Sequence, residues 1–287
     1  MNTLYRLRIL YHFMIGIVLY CALFLSPVQA ETIDCTAITS LPYTINTQGV
    51  YCLTGNLSTS IASGNAITID TNNVIIDMNG YKLGGLAAGD GTETNGIYAF
   101  QRKNITIRNG VIRGFYRGVY LHAGGAYSTS QGHVVTDILA DQNTHIGISV
   151  QGTGNTVRSN TVVDTGGSTV SFQANSIIVN GPSNDILDNK VSTTTGTGTS
   201  AAIGLNIASA DYSIVMNNRV NEMISASGSG YAIWIALSDN VIARDNTVIS
   251  ADYGLYYLNS TGKYMGNLTD NISTTAFTGG TAVDTNN

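Results

Sequence analysis

Apolar and polar residues alternate along this chain in runs too short for helices, and the runs come back at regular intervals. Strand-like pieces open at Gly96 (G-I-Y-A), Gly118 (G-V-Y-L), Gly147 (G-I-S-V), Ser176 (S-I-I-V), Gly204 (G-L-N-I), Ala232 (A-I-W-I) and Gly254 (G-L-Y-Y). A second strand start follows each, at Asn104, His133, Asn155, Asn184, Tyr212, Asn240 and Lys263. The offset is 8 in five cases, 9 in one and 15 in one. An asparagine then separates the second piece from a third, at Asn109, Asn160, Asn189, Asn218 and Asn246, with Asn79 and Asn271 extending the series.

No glycine-bearing reversal joins these pieces, so hairpins are excluded and the chain must coil. Each circuit of three strands then rests on the previous one, about 4.8 Å away. Asparagines at one turn of every circuit form a ladder, each amide bonding its neighbour and satisfying backbone groups that a buried turn leaves unpaired. The expected fold is all-β: a parallel β-helix of about eight circuits over residues 65–277. An N-terminal cap segment, 31–64, precedes it and a short tail, 278–287, follows.

Composition changes this picture only at the N-terminus. There, Arg6 and Arg8 precede an apolar run from Phe13 to Leu25, and Val28-Gln29-Ala30 offers a small-residue cleavage site. This pattern reads as a secretory signal peptide, residues 1–30, and places the product outside the cytoplasm, secreted or periplasmic, with no membrane attachment after cleavage. Without those two arginines, 11 of the 13 basic side chains remain against 18 acidic ones, a formal charge of −7. That balance argues against a nucleic-acid partner. Two cysteines remain, Cys35 and Cys52, and in an oxidising compartment they are expected to pair.

On these repeats the chain resembles the right-handed parallel β-helix proteins of the pectate-lyase-like superfamily. Asparagine ladders after the second strand are a trait of that superfamily. The resemblance implies fold far more than function, because the architecture hosts lyases, hydrolases, epimerases, tailspikes, adhesins and proteins without activity. It also implies that the pieces opening near Gly96 form the first sheet and that the turns before them are the variable loops. The intervals agree: excess residues lie in Gly84–Asn95, Gly166–Asn175, Thr195–Ala202 and Ser225–Tyr231. Insertions along one edge of a repeat protein commonly wall its binding face.

Alternation assigns the outward residues of that sheet. One column is Tyr98, Tyr120, Ser149, Ile178, Asn206, Trp234 and Tyr256; the next is Phe100, His122, Gln151, Asn180, Ala208, Ala236 and Leu258. Stacked aromatic pairs, Tyr98/Tyr120 and Trp234/Tyr256, suit the apolar faces of sugar rings. Tyr98, Gln151, Asn180, Asn206, Trp234 and Tyr256 are therefore the candidate polysaccharide-binding residues. Arg117, Tyr120 and His122 are the candidate catalytic ones, since β-elimination of a uronate needs a base and a cation facing the carboxylate. Hydrolysis is disfavoured, because neither column holds the carboxylate pair it uses. The tandem aspartates and Gly-His-Gly of polygalacturonases, the Arg-rich proline motif of pectate lyases and the Asp-Pro-His of alginate epimerases are all missing.

The remaining charges carry less. Arg102, Lys103, Arg108 and Arg113 are dispersed around the coil as solvated surface groups. Asp90 and Glu93 are loop charges. No zinc spacing occurs and no cofactor is required. Asp211 and Asp239 share a turn position, so they either repel in solvent or share a cation such as calcium. The reading is a secreted protein that recognises an extracellular polysaccharide, with elimination favoured over hydrolysis as the route of any cleavage. Its rival is a non-catalytic structural or surface β-helix, and a tailspike-like trimer is disfavoured by the signal peptide.

Overall fold

The structure, a computed structural model, describes residues 34–284 and residue 286; the expected signal peptide lies outside them. Among the described residues the strands pair in parallel, and consecutive circuits form three faces of a right-handed parallel β-helix. The first face contains Tyr43–Ile45, Asn65–Ile69, Asn95–Phe100, Arg117–His122, Ile146–Gln151, Ala174–Asn180, Ala202–Ala208, Gly230–Ala236 and the end of Thr247–Leu258. Stacking begins inside the segment read as a cap: Thr36–Ile38 pairs with Gly49–Leu53, and that strand with Val74–Asp77. Cys35 and Cys52 are disulfide-bonded there, with their Cα atoms 5.8 Å apart.

The inward residues of the first face, among them Ile97, Val119, Ile148, Ile177, Leu205 and Ile233, are fully buried. At roughly 1.5–3 kcal/mol for each such side chain, this repeated burial drives the coil. Where a glycine opens a first-face strand, as at Gly118 and Gly147, it also has a steric reason. A Cβ at Gly118 would lie 2.5 Å from the Gly147 carbonyl oxygen, and one at Gly147 would lie 2.6 Å from that of Ser176. Circuits approach too closely at this bend for most side chains.

The ladder exists, with a corrected membership. Asn160, Asn189, Asn218 and Asn246 are buried and linked in sequence. Each donates its backbone N–H and its Nδ2–H to the Oδ1 of the next, at 2.9–3.1 Å. The series continues through Asn267 to Asn286, not through Asn271. Asn79, Asn109 and Asn271 are exposed and hold left-handed backbone conformations, with φ of 50°, 60° and 54°. Asparagine tolerates that region better than other side chains do, which explains the misleading spacing. Ile138 and Gly110 pair in the register where the ladder would otherwise continue.

A second, mixed ladder runs along the turn between the first and second faces. His133 donates its N–H to Asn155 Oδ1 (2.9 Å), Asn155 to Asn184 Oδ1 (2.8 Å) and Asn184 to Ser213 Oγ (2.9 Å). The His133 ring takes the part of an asparagine oxygen, Nδ1 accepting the Ile105 N–H at 3.2 Å. Nε2 therefore carries the proton and donates it to Ser130 Oγ at 2.8 Å.

Three of the arginines expected to be solvated are paired instead: Arg102 with Asp70, Arg108 with Asp77 at 2.9 Å and Arg113 with Asp141 at 3.1 Å. Parallel register causes this, because Arg108 stands opposite Asp77 and Arg113 opposite Asp141 on neighbouring circuits.

Candidate functional site

The strand register reproduces the outward column residue by residue: Tyr98 beside Tyr120, then Ser149, Ile178, Asn206, Trp234 and Tyr256. The inserted loops lie along the edge between the third and first faces, and hydrogen bonds join them into one wall. Thr169 N–H donates to Asp90 O (3.1 Å), Thr197 N–H to Phe172 O (2.8 Å) and Ser227 N–H to Gly198 O (2.9 Å). Two cavities open on the third-face side of this wall. One, of about 230 Å³, includes Asp90, Gln142 and Asp164; the other, of about 470 Å³, includes Glu222, Ser225, Asp252 and Asn271.

At one end of the first face, rings and a guanidinium form a continuous stack. His145 lies on Tyr116 (4.7 Å, 23°), Arg117 Cζ lies 4.6 Å from the ring centres of both Tyr116 and Tyr120, and Tyr120 lies on His122 (4.9 Å, 25°). Phe100 meets His122 at a tilt, at 5.4 Å and 50°. Tyr98 meets Tyr120 tilted, at 5.6 Å and 49°, and not flat as expected. The one polar contact of the Arg117 guanidinium among the described residues is a long 3.4 Å bond to Asn95 Oδ1. Burial raises the pKa values of Tyr98 and Tyr120 against the lowering influence of Arg117, so both phenols stay protonated.

Gln151, one of the candidate binding residues, holds His122. Its Oε1 lies 2.7 Å from His122 Nδ1 and also accepts the Ala123 N–H at 3.4 Å. An amide oxygen only accepts, so Nδ1 is the protonated nitrogen and the lone pair lies on Nε2. Asn206 is likewise engaged, donating Nδ2–H to Asn175 Oδ1 at 3.0 Å. Asn180 Oδ1 is buried without a hydrogen-bond partner.

At the other end, Trp234 and Tyr256 meet edge to face, at 6.4 Å and 89°, an arrangement that the charge distribution of aromatic rings favours. Two residues absent from the outward columns complete a cluster there. Tyr231 and Tyr253 lie flat on each other (4.8 Å, 11°), and Tyr231 also packs on Trp234 at 4.7 Å. They belong to a corner column one place before the strand start, with Asn95, Arg117, Ile146, Asn175 and Ile203. That column was readable, since Arg117, Tyr231 and Tyr253 each directly precede the small residue that opens the strand.

Asp211 and Asp239 do stack, but as turn caps: Asp211 Oδ1 accepts the Asp239 N–H (2.7 Å), and Asp239 Oδ1 accepts the Thr261 hydroxyl (2.8 Å). Among the described residues, no group of three or more His, Cys, Asp or Glu could hold a metal ion.

Neither a protein-family model nor a curated protein matches the chain. Solved structures do. The enzymatically active domain of tailspike protein 2 of bacteriophage CBA120 is 14% identical, with a TM-score of 0.58. The match covers 88% of this chain and 42% of that one. A variant tailspike of E. coli bacteriophage HK620, solved in complex with a pentasaccharide, is also 14% identical, with a TM-score of 0.52 over 81% of this chain and 53% of that one. This chain thus spans about half the length, or less, of these tailspikes. At such identities the likeness shows the fold, and the fold it shows is the parallel β-helix that the strand register traces.

Proposed function

We propose that the first face binds an extracellular polysaccharide. The observation that carries this reading is the set of half-buried aromatic rings held at both ends of one face, beside a wall of hydrogen-bonded loops. Sugar rings offer apolar C–H faces that pack on such surfaces, while their hydroxyls find amides such as Asn180. Tailspikes of similar fold, one solved with a bound pentasaccharide, lend support.

A finer reading rests on the fixed His122 tautomer. His122 Nε2 is the base, Arg117 neutralises the uronate carboxylate, and a protonated tyrosine, Tyr120 or Tyr98, is the acid. His122 takes the proton α to the carboxylate, the electrons of that C–H bond form the new C=C, and the glycosidic C–O bond breaks. The leaving oxygen takes the phenolic proton, giving an unsaturated uronate and a free hydroxyl.

Trp234 is the chain's only tryptophan, so its fluorescence reports on this surface. Across a polysaccharide panel, a bound oligosaccharide is expected to shift or quench it, and Trp234→Ala to weaken binding by about 1–3 kcal/mol. His122→Ala should leave binding nearly intact and abolish the ultraviolet absorbance of the unsaturated product. Binding without turnover would reduce the protein to a recognition module. No response to any polysaccharide, with the fold intact by circular dichroism, would favour a structural β-helix.

A further inference from the structure

We propose that the two ends of the first face are chemically distinct subsites, so that the ligand is a heteropolysaccharide bound in one direction: a uronate carboxylate at Arg117 and an uncharged sugar ring on Tyr231 and Trp234. The proposal rests on the first face being the polysaccharide site and adds the identity and order of the sugars.

Charge supports it. Arg117 is the one Asp, Glu, Lys or Arg in the described first-face strands up to Ala236. Arg102, Arg108 and Arg113 each have an aspartate partner, whereas Arg117 lies 4.6 Å from the ring centres of Tyr116 and Tyr120 and has no ion pair among the described residues. A guanidinium held by aromatic rings and lacking an anionic partner keeps in-plane N–H groups, which match a planar carboxylate. The opposite end carries a carboxylate of its own. There Asp252 stands at the corner beside Tyr253, one oxygen accepting the Gly230 N–H (2.7 Å) and the other the Ser273 hydroxyl (2.5 Å). An anionic sugar on Tyr231 would meet the like charge of this carboxylate. Trp234 Nε1 is buried beside these rings without a hydrogen-bond partner. Tyr120 and Trp234 are four strand steps apart, roughly 19 Å at the interstrand spacing, so a single sugar cannot reach both ends.

The experiment titrates Trp234 fluorescence and calorimetric binding with three octasaccharides of equal length. One carries glucuronates in one half and N-acetylglucosamines in the other, one is all galacturonate and one is neutral cello-octaose. The two-block octasaccharide is expected to bind at least about 10-fold tighter than either other, with an affinity that falls as salt rises. Arg117→Gln should weaken it about 10-fold and flatten the salt dependence. Tyr231→Ala, or Tyr231→Leu if the alanine variant does not fold, should weaken it similarly and leave the salt dependence in place. Equal binding of the all-uronate or neutral octasaccharide, or an unchanged salt dependence in Arg117→Gln, overturns the two-subsite proposal while leaving polysaccharide binding standing. Failure of all three to bind overturns the polysaccharide reading itself.

Discussion

Asn189→Ala is expected to destabilise the protein by roughly 3 kcal/mol, read as a fall in the urea midpoint at constant slope. Asn189 is 1% exposed. Its Oδ1 accepts both the N–H (3.1 Å) and the Nδ2–H (3.0 Å) of Asn160, and its own Nδ2–H reaches Val157 O at 2.8 Å. Alanine removes these partners and admits no water, and a buried polar group left unpaired costs about 1–3 kcal/mol. Asn109 gives the contrast. It is exposed at φ 60°, with one side-chain bond to Asp77 at 3.2 Å. Glycine suits that backbone, so Asn109→Gly should stay within about 0.5 kcal/mol. Equal losses at the two positions would show that the ladder contributes nothing beyond its turn geometry.

Acid should weaken the fold through His133. Burial lowers the pKa of this ring to about 4, and its Nδ1 is committed to accepting the Ile105 N–H. The unfolded chain takes up the proton near pH 6.5, the native protein only near pH 4. Between those values the unfolded state binds more protons, so stability is fully present above about 6.5 and is lost as the pH falls toward 4. A gap of this size corresponds to about 3 kcal/mol. His145, also lowered by burial, acts in the same direction. His133→Asn preserves an acceptor of the kind Asn155 and Asn184 already supply, and should remove most of this histidine's share. Urea midpoints of the two proteins at pH 7 and pH 4.5 measure it. The idea fails if the gap between the two proteins is the same at both values.

The candidate site was only partly legible. Period-two alternation placed Tyr98, Tyr120, Trp234 and Tyr256 in one outward column, and the register agrees with it. The partners of these residues were not legible. That Gln151 holds His122 and that Asn206 bonds Asn175 depends on side chains about 30 residues apart, on neighbouring circuits, meeting at one strand spacing. Tyr231 and Tyr253 were lost for a local reason: the chain bends at the following small residue, so alternation counted from the strand start does not reach the corner before it.

What the sequence alone determined is the coil, because burying an apolar residue at every second position of short runs, with no hairpin turns, leaves stacked parallel circuits as the packing solution. The side of the chain on which the loops lengthen was also readable from the intervals. Tertiary structure alone decided which asparagines are buried. Asn109 and Asn160 sit before similar residues, Gly-Val and Thr-Val, yet one supports a left-handed turn in solvent and the other bonds within the core. The difference lies in a one-residue shift of register, set by Met78 and Gly110 packing together at the first position and by Ile138 and Asn189 flanking Asn160 at the second. Hydrogen bonds between circuits depend on which residue the stack brings opposite, and local spacing does not contain that information.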